Sequence, residues 1–196
     1  MRKRDQNKGI FCLEGLWDSD LRVSSTVRPM LELLRLHEGL EYIHREHATK
    51  EEFEFYLKKW TQKNYDAYPI LYLTSHGHAG GIELGGEFYS LEDMTELLTD
   101  KCSNRVIMLS SCTTLQIPMD RLTHLLEKTG ALFVCGYRVD VDWMRSLAFE
   151  LLLFSSIQNN EFSFRGVPAM HDEATKLGKS FKDLEVRFVT AMKSES

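Results

Sequence analysis

Two uninterrupted apolar runs constrain this chain more than any other feature. The first is Pro69-Ile-Leu-Tyr-Leu-Thr-Ser, stopping at His76-Gly77, and the second is Arg105-Val-Ile-Met-Leu-Ser-Ser, stopping at Cys112. Each has strand length and no polar alternation, the pattern of a strand buried on both faces of a parallel sheet. Around them, short apolar runs alternate with amphipathic helical stretches, the signature of an α/β domain.

The order along the chain is strand, helix, strand, helix throughout. Strand one is expected over residues 9–16, and a helix from about Ser25 carries Val27, Met30, Leu31 and Leu34 on one face. A short strand over 40–44 precedes Thr49-Lys-Glu-Glu52, a capping-box pattern, and a helix with Phe53, Tyr56, Leu57 and Trp60 on one face. After the run ending at His76, the glycine-rich stretch 80–89 predicts a small hairpin, and Ser90 caps the helix bearing Leu91, Met94, Leu97 and Leu98. After the run ending at Cys112 come a helix stopping at Gly130, a strand over 131–136 and a helix from about Asp142. A final helix is expected over about 172–181, then an edge strand over 184–189 with one wet face. Short connections favour right-handed crossovers, hence parallel pairing of the first five strands. The expected fold is a three-layer α/β/α sandwich on a six-stranded, mostly parallel sheet, with the two apolar runs adjacent and central.

A chain of 196 residues fits one domain, expected over 9–190. Residues 1–8, with Arg2, Lys3, Arg4 and Lys8, are expected to form a flexible basic tip, and residues 191–196 a flexible end. The net charge of −5 argues against a nucleic-acid surface. No run of about 18 apolar residues spans a membrane, and no signal-peptide pattern is present. Cys12, Cys102, Cys112 and Cys135 are widely spaced, without a CxxC, so free thiols in a reducing cytoplasm are expected, and no metal or cofactor.

In a parallel sheet, neighbouring strands end on the same edge, where open α/β sheets hold their sites. His76 and Cys112 delivered there together form a thiol–imidazole pair, the minimum for a cysteine nucleophile. A protonated His76, and the exposed backbone N–H groups of a turn leading from the strand into a helix, would both favour the thiolate. The backbone N–H of Gly77, with that of Cys112, would suit a two-donor oxyanion hole. The bland alternatives are a buried structural thiol and a hydrogen-bonded loop histidine. His78 is read as a surface or secondary group, and Cys12, Cys102 and Cys135 as structural.

The strand ending in Ser-His-Gly, followed about three dozen residues later by one ending in Ser-Ser-Cys, resembles the caspase–haemoglobinase clan of cysteine peptidases. Within the clan the chain looks most like the CHAT branch, related to separase and to bacterial caspase-like proteases. The likeness covers roughly residues 68–157 and includes the glycine-rich hairpin, Gly130-Ala-Leu-Phe-Val-Cys-Gly136 and Val139-Asp-Val-Asp142. It implies a sheet whose sixth strand is antiparallel, and hydrolysis of peptide bonds in a protein substrate. His76 would be base and proton donor, Cys112 nucleophile and Gly77 part of the oxyanion hole. Ser-Ser-Cys-Thr-Thr departs from the Gln-Ala-Cys-Arg-Gly of animal caspases, so aspartate specificity is not implied. Relatives of separase prefer arginine, which would give Asp140 and Asp142 a role in the first specificity pocket. The other reading is a helix cap at Asp142 and a solvated Asp140. Trp17 and Ser111 are further candidates to shape the pocket. CHAT domains often sit in longer chains, which implies a regulatory protein partner.

Two other classes stay open. One is a catalytically silent CHAT-like interaction domain. The other is a flavodoxin-like nucleotide binder, weakened because Gly15-Leu-Trp-Asp-Ser-Asp20 is bulky and acidic where a phosphate loop is needed.

Overall fold

The computed structural model describes residues 8–191. The basic residues Arg2, Lys3 and Arg4 and the expected flexible end beyond 191 lie outside the described residues. Lys8 lies inside them, its backbone N–H donating to Gln158 Oε1 at 2.8 Å.

The elements run β1 (Ile10–Gly15), α1 (Arg28–Glu38), β2 (Tyr42–His47), α2 (Lys50–Trp60), β3 (Ile70–Thr74), β4 (Gly77–His78), β5 (Gly81–Leu84) and β6 (Glu87–Ser90). They continue with α3 (Leu91–Leu98), β7 (Val106–Ser110), α4 (Met119–Thr129), β8 (Phe133–Tyr137), α5 (Trp143–Ile157), α6 (Val167–Gly178) and β9 (Val186–Thr190). The main sheet has the order β2-β1-β3-β7-β8-β9. Its first five strands are parallel and β9 is antiparallel to β8. A small antiparallel sheet, β4-β5-β6, grows from the end of β3. The two apolar runs become β3 and β7, adjacent and central, as their pattern predicts.

Period-two alternation divides the core. Phe11, Leu13, Leu71, Leu73, Ile107 and Leu109 face one way and pack against α2, α3 and α4. Ile10, Cys12, Tyr72, Met108, Phe133 and Cys135 face the other way and pack against α1, α5 and α6. Burial on both faces is why these strands show no polar alternation.

The predicted caps are present. Thr49 Oγ1 accepts from Glu52 N–H at 3.3 Å, while Glu52 Oε2 accepts from Ala48 N–H. Ser90 Oγ accepts from Asp93 N–H at 3.0 Å, and Gly130 closes α4 with φ +74°. Gly85 and Gly86, with φ +59° and +86°, supply the two left-handed residues of the tight β5–β6 turn.

Some details differ from the sequence pattern. The last helix starts five residues earlier than expected because Pro168 sits in its first turn, where proline lacks no needed donor. Strand β2 is shifted toward the polar residues His44, Arg45 and Glu46, as an edge strand permits. Strand β9 is half-buried throughout rather than wet on one face. Phe188 stacks on Phe133 at 5.6 Å, and Arg187 donates to the carbonyls of Leu115 and Ile117. Among the described residues, no helix is long and apolar enough to cross a membrane.

Candidate active site

The register of β3 against β7 pairs Thr74 with Ser110, so both strands leave the sheet level with each other. One residue on, Ser75 Oγ and Ser111 Oγ lie 3.4 Å apart. One further residue brings His76 and Cys112, and both line the same pocket.

His76 is held by the turn after β1. Its Nε2 lies 2.8 Å from the Trp17 carbonyl oxygen. A carbonyl can only accept, so Nε2 carries the proton, and Nδ1 is the nitrogen left to exchange one. The Trp17 indole packs edge-on to the His76 ring at 5.4 Å and to Trp143 at 4.8 Å.

Trp17 is itself clamped by Glu14, the penultimate residue of β1, which is only 1 % exposed. Glu14 Oε1 accepts from Trp17 Nε1–H at 2.7 Å and from Val27 N–H at 2.9 Å. Its Oε2 accepts from Thr26 Oγ1–H at 2.7 Å and pairs with His44 Nε2 at 2.6 Å. Burial pushes the Glu14 carboxyl up, but the donors His44, Thr26, Trp17 and Val27 outweigh it, and its pKa is lowered from the ordinary carboxylate value. A buried anion thus fixes the tryptophan whose carbonyl fixes the histidine.

This chain of contacts makes a prediction. Glutamine at position 14 can turn its carbonyl toward Trp17 and Val27, which can only donate, and its NH₂ toward Thr26 and His44, which can also accept. Leucine leaves those donors buried and unpaired. Glu14→Gln is therefore expected to keep reactivity at Cys112 within about tenfold, and Glu14→Leu to lose about 10²-fold by misplacing His76. The check is the rate of Cys112 modification in each variant well below its melting temperature.

Cys112 opens a turn, as the sequence pattern expects, but the helix that follows begins well beyond it. A loop separates it from α4, which begins at Met119. The donor near the sulfur is instead Val141 N–H, 3.5 Å from Sγ, from the turn after β8. An N–H aimed at sulfur suits negative charge there. Thr113, next along, has φ +55°, a strained conformation for a β-branched residue. It is held there by Thr113 N–H donating to the Val139 carbonyl at 3.1 Å.

Gly77 lies against this loop. A Cβ at position 77 would stand 2.3 Å from the Cys112 carbonyl oxygen and 2.5 Å from Thr114 Oγ1. Only glycine lets the backbone after His76 approach the backbone at Cys112 so closely.

The pocket beside Cys112 has a volume of about 70 Å³. Trp17 and Ser111, both candidates from the sequence, line it. Asp140 and Asp142 are exposed and do not, the wall there being Val141, Trp143 and Leu147. Asp142 caps α5, its Oδ1 accepting from Arg145 N–H at 2.9 Å. His78 is exposed and pairs with Glu83 at 3.3 Å. Cys12, Cys102 and Cys135 are buried, and burial raises all three thiols, Cys102 to about 12.

Under the pocket floor lies Glu150 of α5, fully buried. It accepts hydroxyl bonds from Tyr72 of β3, Ser110 of β7 and Tyr137 of β8, the last at 2.7 Å, tying three strands to one helix. Burial pushes its carboxyl up to about 7 although the three hydroxyls pull it down. The ordinary value is 4.5. An unfolded chain gives up this proton near 4.5 and the folded one only near 7, so folding stability is lost as pH rises between them. A difference of this size corresponds to about 3 kcal/mol. Urea titrations from pH 4.5 to 7.5 are expected to show this decline in wild type and a flatter curve in Glu150→Gln.

Glu14, Glu150 and the Val141 N–H are not marked by any motif. The available signal was a charged residue inside an otherwise apolar element, as in Ile-Phe-Cys-Leu-Glu14 and Leu147-Ala-Phe-Glu150-Leu. Such a charge is retained in a core only with partners to satisfy it.

Residues 7–187 match the model of a family described as "Family of unknown function (DUF6642)". No curated protein matches the chain in sequence. Among solved structures, the crystal structure of caspase-1 from Spodoptera frugiperda superposes with a TM-score of 0.58 at 9 % identity. The match covers 96 % of this chain and 88 % of that one. At this identity the likeness is one of fold.

Proposed function

The chain belongs to this family of unknown function and carries a caspase-like fold, and from these premises we propose that it is a cysteine endopeptidase of the CHAT type acting through a His76–Cys112 dyad. The observation that carries this reading is the meeting of His76 and Cys112 in one pocket, with His76 Nε2 already committed to the Trp17 carbonyl.

In the proposed reaction, His76 Nδ1 takes the thiol proton of Cys112 as Sγ bonds to the carbonyl carbon of the scissile peptide. The carbonyl electron pair moves to oxygen, and the backbone N–H groups of Gly77 and Cys112 stabilise that oxyanion. Collapse breaks the C–N bond, and the leaving amine takes the proton from His76. Water then attacks the thioester, giving a proton to His76. The acid departs and the proton returns to sulfur.

The test is cleavage of a diverse peptide library by the purified chain and by Cys112→Ala. Cuts that depend on Cys112 support the reading. Equal cutting by both proteins refutes it. The expected regulatory partner enters here too: a wild-type chain that is silent alone but cuts with a co-purified protein, while Cys112→Ala stays silent, supports a partner-controlled peptidase. Silence in both settings favours the interaction-domain alternative.

A further inference from the structure

Among the described residues, the pocket against Cys112 is lined by no Asp, Glu, Lys or Arg. Its walls are Val27, Val141, Trp143 and Leu147, and its floor includes Ser110 and Ser146. Those hydroxyls are already spent inward. Ser110 Oγ–H donates to Glu150, and Ser146 Oγ–H donates to the Trp143 carbonyl at 3.0 Å. The carboxylates near this edge are engaged elsewhere: Glu14, behind Trp17 and Val27, is taken up by its four donors, Glu150 lies buried beneath the floor with three hydroxyl partners, and Asp142 caps its helix. Asp18 and Glu83 line a separate cleft that shares Trp17 and His76 with this pocket but not Cys112.

A charge enclosed here would lose water and find no free carboxylate or basic side chain to pair with, His76 being held by the Trp17 carbonyl and committed to Cys112, a loss that a charged group does not tolerate. The space also sets a size. A cavity of about 150 Å³ holds benzene with six carbons. The 70 Å³ here scales to about three heavy atoms, the size of a valine or threonine side chain.

We propose that the residue whose carbonyl is attacked is small and uncharged, in the range from alanine to valine, its side chain lodged between Val141, Trp143 and Leu147. This rests on Cys112 being the nucleophile. It sets the chain apart from an aspartate-selecting or arginine-selecting pocket, although the fold is caspase-like. The selecting device is the absence of charge together with the indoles of Trp17 and Trp143, which meet edge-on at 4.8 Å.

The experiment uses tripeptidyl acyloxymethyl ketones differing only in the residue next to the electrophile: Ala, Val, Phe, Asp and Arg. Intact-mass spectrometry follows labelling of the full chain, with iodoacetamide as a reagent that needs no pocket. The Ala and Val probes are expected to label Cys112 at least about 30-fold faster than the Asp and Arg probes. Phe is expected to fall behind Val on size. Leu147→Asp, which places a carboxylate at the wall, is expected to raise the Arg probe relative to the Ala probe. An Asp or Arg probe that labels wild type as fast as Ala overturns the specificity while leaving the nucleophile standing. If no peptide probe labels, and iodoacetamide modifies Cys112 at the same rate in wild type and His76→Ala, the nucleophile falls and the specificity with it.

Discussion

Replacing His76 by alanine is expected to lower peptide hydrolysis by about 10²–10⁴-fold while leaving the melting temperature near that of wild type. The imidazole contributes little to the core. Its ring touches Trp17, and Nε2 meets one backbone carbonyl that water can reach when the ring is gone. The chemistry, by contrast, has no second base at hand. His78 lies on the surface paired with Glu83, and Glu14 is enclosed by its four donors. Cys112→Ala is expected to remove turnover altogether, since the remaining three thiols are buried. Initial rates on a peptide cut by the wild type, with thermal melts of each variant, check both.

Gly77→Ala has the second large expected effect, and it acts through geometry. The new methyl would collide with the Cys112 carbonyl, Thr114 Oγ1 and, at 2.8 Å, Ser111 Cβ. Two of these belong to a loop held to the end of β8 through Thr113 and Leu115, so it cannot simply drift away. Overpacking of this kind costs about 1–3 kcal/mol. A displacement near 1 Å of the cysteine backbone from His76 costs about 10²-fold in rate. Activity is therefore expected to collapse at temperatures where urea titration still shows a folded protein. Full activity in Gly77→Ala would mean that the two backbones need not stay in contact during the reaction.

The centre of the fold was legible because burial on both faces leaves a plain mark. Ile70–Thr74 and Val106–Ser110 are apolar at every position but the last, and only a central strand is free to be so. The capping residues Thr49, Ser90, Asp142 and Gly130 were legible because each serves the backbone within its own few residues. Edges were harder. Strand β2 is paired on one side only and tolerates His44, Arg45 and Glu46, so its hydrophobic pattern points to the wrong residues. The final helix begins earlier than its apolar pattern shows, because Pro168 fits in the first turn of α6.

At the candidate site, the proposed dyad residues could be picked out because each sits where an apolar run stops. The groups that hold them could not, because they come from distant sequence. The Trp17 carbonyl reaches His76 across 59 residues, and the Val141 N–H reaches Cys112 across 29. Backbone donors and acceptors carry no sequence signature, so a motif names the side chains that react and stays silent on what aims them. The turn expected at Cys112 is present, but the loop before α4 places the helix N-terminus well beyond it.

The most direct measurement is the rate of iodoacetamide addition to the native chain across pH 5.5 to 9, in wild type and His76→Ala, with the modified residue located by peptide mapping. One modified thiol, Cys112, is expected, with a wild-type rate at pH 6.5 at least about tenfold above that of His76→Ala, the two converging at high pH where any exposed thiol ionises. Superimposable pH profiles would show that His76 does not act on Cys112, and the dyad would have to be abandoned.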